Sequence, residues 1–118
     1  MEKLILTNMI YNYLCHNHKG KDLMIKNRDL RIKFGIRSDK ALRGIIQDIR
    51  LDEKYSEIIG SESGTKGGYY ICENKEEVDE TIANQEKRGN AMLESISPLR
   101  RKREKKFGGI KWTFMKSY

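Results

Sequence analysis

The sequence predicts an α+β fold that is mostly helical, and three observations predict it. Apolar residues recur at helical spacing in several separate stretches. Two short runs rich in β-branched and aromatic residues, around Ile58-Ile59 and Tyr69-Tyr70-Ile71-Cys72, flank the Gly/Ser-rich stretch from Gly60 to Gly68. A third segment, Ile110-Lys111-Trp112-Thr113-Phe114, alternates apolar and polar residues as a half-buried strand does.

The elements follow in order. Leu6, Met9, Ile10, Tyr13 and Leu14 fall on one helical stripe. Asn17-His18-Lys19-Gly20-Lys21 reads as a turn, and Leu23-Met24-Ile25 as a brief strand or a tight entry to the next helix. Asn27 is the expected N-cap of a short helix, Arg28 to Lys33, that buries Leu30 and Phe34. Gly35 supplies the left-handed residue that ends it. Ser38 caps the next helix, which buries Leu42, Ile45, Ile46 and Ile49 at i, i+3, i+4 and i+7. A hairpin follows, then a helix over 74–97 in which Val78, Ile82, Gln85, Gly89, Met92 and Ile96 are spaced 4, 3, 4, 3, 4. If continuous, that helix extends about 33 Å at 1.5 Å per residue. Pro98 is expected to close it. Residues 98–118 then form a basic tail with the aromatic strand-like segment.

Length and composition bound the function. At 118 residues the chain suits one domain of ordinary size. It has no apolar run of transmembrane length and no signal-peptide pattern, which points to a cytoplasmic protein. Cys15 and Cys72 lie far apart and lack CxxC spacing, so they read as reduced, buried thiols and not as a disulfide or a zinc site. The net charge of +7 is unevenly placed. Residues 1–50 carry +6, residues 51–96 carry −6 and residues 97–118 carry +7. A polyanion would meet the first and last blocks and avoid the middle one.

Catalytic motifs are missing. His16-Asn17-His18 spells HNH, yet nucleases of that name draw these residues from separate elements, and no further ligands follow at metal spacing. No phosphate-binding glycine loop, nucleophile elbow or HExxH occurs. The carboxylates Glu76 to Glu80 suit the positive end of a helix dipole. Neither an enzymatic activity nor a metal or cofactor is expected.

The order of elements over roughly residues 4–72 resembles a winged helix-turn-helix domain. The resemblance is carried by NRDLRIKFGIRSDKALRGIIQDI, with Leu30, Phe34, Gly35, Ile36 and Leu42 at helix-turn-helix-like positions, and by IIGSESGTKGGYYI, which looks like a wing and its returning strand. The whole chain is similar to small proteins of phages and other mobile elements. The resemblance implies that residues 1–73 form the domain, that the helix Ser38–Leu51 enters a DNA major groove, and that the wing touches the adjacent backbone.

The residues of that helix agree. With 42, 45, 46 and 49 inward, Lys40, Arg43, Gln47 and Arg50 form an outward stripe, and Arg and Gln can make bidentate contacts with guanine and adenine. Gly44 on the same side allows close approach. Arg28, Arg31, Arg37 and, at the wing tip, Lys66 are candidate phosphate contacts, as are Arg100, Arg101, Lys102 and Arg103 of the tail. The ordinary alternative for each charged run is a solvated face. Val78, Ile82, Met92 and Ile96 are candidate homodimer contacts, which would present two reading helices to a pseudo-palindromic site. The expected function is sequence-specific duplex-DNA binding, as a transcriptional regulator or replication accessory. The alternative is a protein-interaction module, an inhibitor or adaptor, that engages a host protein through Ile110, Trp112 and Phe114.

Overall fold

The chain is mostly helical, and its described residues form five α-helices and one small antiparallel sheet. A computed structural model describes residues 3–62, 67–87 and 93–108, with the backbone alone for 93–96. Helix α1 spans Lys3–Asn17 and is followed by a 3-10 turn, Lys21–Leu23. Strand β1, Ile25–Lys26, leads directly into α2, Asn27–Phe34, and then α3, Asp39–Leu51. Strands β2, Ile59–Ser61, and β3, Gly68–Ile71, form the hairpin. Helices α4, Lys75–Lys87, and α5, Leu93–Arg103, complete the described order, α5 running into a π-helical turn at Glu104–Gly108.

Local chemistry explains the helix ends. Gly35 adopts φ 67°, and its N–H and that of Ile36 donate to the carbonyls of Ile32 and Arg31, closing the end of α2. Ser38 Oγ accepts the Ala41 N–H at 3.0 Å and starts α3. Asn27 departs from its expected role. It is the first residue of α2 and forms no N-cap, because its amide is engaged between helices. Asn74 caps α4 by accepting the Glu77 N–H, while Glu77 accepts from the N–H groups of Glu73 and Lys21.

β3 is the central strand, in the order β1-β3-β2. Ile25 pairs with Tyr69 on one side, and Ile59 pairs with Ile71 on the other. Gly68 is required here, since a Cβ would stand 2.1 Å from the Ile25 carbonyl oxygen. At Gly60 a Cβ would strike the Tyr70 ring at 2.5 Å.

Both faces of the sheet are covered. Tyr69 and Ile71 join a core with Ile10, Leu14, Leu30, Leu42, Ile45, Ile46 and Ile49 from α1, α2 and α3. Tyr70 and Cys72 point the other way, into a core with Ile58, Val78, Ile82 and Leu99 from α4 and α5. Tyr69, Tyr70 and Ile71 of β3, with Cys72 just after it, alternate between the two cores. Within α1 the buried positions are Thr7, Ile10 and Leu14, whereas Met9, expected in the apolar stripe, is exposed.

The C-terminal half corrects the sequence reading. The stretch 74–97 is two helices, α4 and α5, packed on each other. Pro98 lies inside α5 and does not end it. Val78 and Ile82, expected at a dimer seam, are buried in the chain's own second core. Of the other two seam residues, Met92 lies outside the described residues, as does the side chain of Ile96.

Candidate nucleic-acid interface

Residues 26–43 carry seven basic and two acidic side chains. Lys26, Arg28, Arg37, Lys40 and Arg43 are exposed, and Arg31 is half-buried. The amphipathic pattern of α3 sets this arrangement. Its buried row turns Lys40, Arg43 and Gln47 outward, with Gly44 beside them. Nothing lies within 4 Å of the place a Gly44 Cβ would occupy, so the helix surface is open there.

A chain of polar contacts ties α2 to α3 at the edge of this face. Arg31 Nε donates to Asn27 Oδ1 at 2.8 Å, and Asn27 Nδ2 donates to Asp39 Oδ1 at 2.6 Å. The other oxygen of Asp39 pairs with Arg43 Nη2 at 2.6 Å. Beneath it Tyr69 brings its phenol against Asn27, where burial pushes its pKa up and the Asn27 hydrogen bond opposes the shift. Sequence reasoning missed Asn27 and Tyr69 as parts of this region. Only the i, i+4 spacing of Asp39 and Arg43 signals any of it.

Arg50 requires a correction. It is 6% exposed, and it donates from Nε and Nη2 to the Ile59 carbonyl and from Nη2 to Ser61 Oγ. Seven residues on an α-helix fall about 20° short of two full turns. Arg50 is therefore rotated from Arg43 toward the core edge, where strand β2 supplies acceptors.

The basic residues after Pro98 also differ from expectation. They belong to α5, not to an extended tail. Arg100 pairs with Glu86, Arg101 with Glu53 and Arg103 with Asp79. Lys106 pairs with Glu57. Lys102 is 5% exposed and donates to the Ile49 carbonyl at 2.9 Å. Burial lowers its pKa to about 8. The basic third block of the sequence thus neutralises much of the acidic second block. By contrast, Lys26, Arg28, Arg37 and Lys40 make no ion pair among the described residues. Lys66 and the segment Ile110, Trp112 and Phe114 lie outside the described residues.

Several other ionisable groups have structural partners. His16 and His18 place Nδ1 at 2.7 Å from the carbonyls of Asn12 and Leu23. Lys21 lies between Glu62 and Glu80, which raise its pKa while Lys21 holds Glu80 below the usual carboxylate range. Both cysteines are free thiols, Cys72 buried and Cys15 partly so. No group of three or more His, Cys, Asp or Glu side chains that could hold a metal occurs among the described residues. No helix among them is long and apolar enough to cross a membrane. Comparison with family models, curated proteins and solved structures returns no match.

Proposed function

We propose that the chain is a sequence-specific duplex-DNA-binding protein of the winged helix-turn-helix kind, serving as a transcriptional regulator or replication accessory. In this reading α3 is the reading helix and the β2–β3 hairpin is the wing. One observation carries the proposal. On the outward face of α3, Lys40, Arg43 and Gly44 are exposed and Gln47 is half-buried at its edge, while α5 spends most of its cations on partners within the chain. Arg43 and Gln47 are the base readers, and Arg28, Arg31 and Arg37 hold phosphates.

Selection from random duplexes, followed by mobility shifts at stated salt, tests the proposal. Arg43→Ala is expected to weaken the selected site by about 1–3 kcal/mol. Gly44→Ala is expected to raise folding stability by about 1 kcal/mol while weakening DNA binding, because a methyl group fits the free protein but obstructs the groove. Retention of no duplex at low salt would sink the proposal.

A second reading, a protein-interaction module, is favoured by α1. Leu4, Ile5 and Met9 are 58%, 51% and 43% exposed. Beside Leu4, a shallow groove of about 330 Å³ is lined by Lys3, Thr7, Asp48, Asp52 and Tyr55. Under this reading Leu4→Asp abolishes capture of a protein partner and leaves DNA retention unchanged.

A further inference from the structure

We propose that Asp39 is a specificity-determining positioning residue, which holds Arg43 for base reading and restrains it from phosphate. The inference rests on the DNA-binding reading above. Its geometric basis is the relay Arg31–Asn27–Asp39–Arg43, in which each neighbouring pair is joined by a hydrogen bond or ion pair of 2.6 to 2.8 Å.

An unrestrained arginine on an exposed helix is a flexible cation. It finds phosphates as readily as bases, and a phosphate contact carries no sequence information. Asp39 changes both properties of Arg43. Its carboxylate offsets the guanidinium charge, which reduces the pull toward the backbone. It also meets the guanidinium as an ion pair at Nη2, which leaves N–H groups of the five-donor fork for a bidentate contact such as guanine O6 and N7. The carboxylate is itself held, because its second oxygen accepts from Asn27. Asn27 is oriented in turn by Arg31 from the next turn of α2. The relay spans the two helices, so the setting of Arg43 depends on how α2 and α3 are packed. A pair confined to one exposed helix would be free to exchange rotamers, whereas this carboxylate has partners on both sides.

The test measures binding of the full chain to two probes across a salt series. One is the duplex recovered by selection with the wild type, and the other is a random-sequence duplex. Asp39→Asn keeps the size of the side chain and removes its charge. It is expected to tighten binding to the random duplex, steepen the salt dependence by about 0.9, and cut the ratio of selected to random affinity by about tenfold. In an Arg43→Met background the same substitution is expected to change the ratio less than about twofold, as pairwise coupling requires. Thermal melts of each variant verify folding. An unchanged ratio after Asp39→Asn overturns the inference, as does an equal fall in the Arg43→Met background. Failure of the wild type to retain either duplex overturns the DNA-binding reading itself, a separate result.

Discussion

Two arginines seven residues apart on α3 have opposite settings. Arg43 is exposed beside Asp39, whereas Arg50 is buried against β2. Their substitutions should separate accordingly. Arg50→Ala strands the Ile59 carbonyl inside the protein and is expected to cost about 2–3 kcal/mol in urea unfolding, with little change in DNA affinity per folded molecule. An affinity loss matching that of Arg43→Ala would return Arg50 to the reading stripe. Lys102 is the other basic residue whose setting only packing explains. Its pKa falls from 10.5 in the unfolded chain to about 8 in the fold. Between those values the unfolded chain binds more protons, so this group adds stability as pH rises from about 8 toward 10.5. Below pH 8 the cost of burying the charge is fully present. Cys72 acts oppositely above pH 9, because burial raises its thiol to about 12. Comparison with Lys102→Met isolates the lysine. Wild type is expected to gain on the variant across pH 8–10.5, by up to about 1.4 kcal/mol per pH unit, and parallel stability curves would refute the assignment.

At the level of elements, β3 couples the two halves of the protein. Tyr69 and Ile71 face α1, α2 and α3, while Tyr70 and Cys72 face α4 and α5. The helices after the hairpin are therefore part of the fold and cover an otherwise apolar sheet face. Leu99 is fully buried in that second core. Leu99→Ala is expected to destabilise the protein by about 2–4 kcal/mol, measured by urea unfolding. A cost below 1 kcal/mol would mean that α5 packs loosely on the sheet. Helix α3 shows how one element serves two purposes. Its buried row anchors the first core, and the opposite row offers Lys40, Arg43 and Gln47.

At the level of the whole molecule, four described cations of the third charge block pair with carboxylates of the second, while the basic region over 26–43 keeps exposed cations outside any ion pair among the described residues. Exposed ion pairs contribute little stability each, about 0.2–1 kcal/mol. Their larger effect is on the field the protein presents. Arg100, Arg101 and Arg103 face carboxylates, whereas Arg37 and Lys40 face none among the described residues. Arg37→Gln and Lys40→Gln are each expected to flatten the salt dependence of DNA binding by about 0.9. Replacing Arg100, Arg101 and Arg103 together by Gln is expected to change it by less than about 0.9 in total. A larger effect from the triple replacement would place α5 on the DNA.

The local pattern was sufficient to predict the helices of the first half, the Gly35 stop, the Ser38 cap and the hairpin. Each depends on neighbours within a few residues, through capping geometry, turn chemistry and the 3.6-residue period. The exposed side of α3 was legible for the same reason. The burial of Arg50, the break between α4 and α5 and the neutralisation of the basic block were not. Periodicity places a side chain on a helix face but does not say which strand or carboxylate waits there. The spacing of Val78 and Ile82 is equally that of a dimer seam and of an internal core. Sequence by itself determined the α+β class, the elements through the hairpin and the outward row at Lys40, Arg43 and Gln47. Tertiary structure alone decided which cations remain unpaired and which apolar stripe is internal, because both depend on contacts between residues distant in sequence.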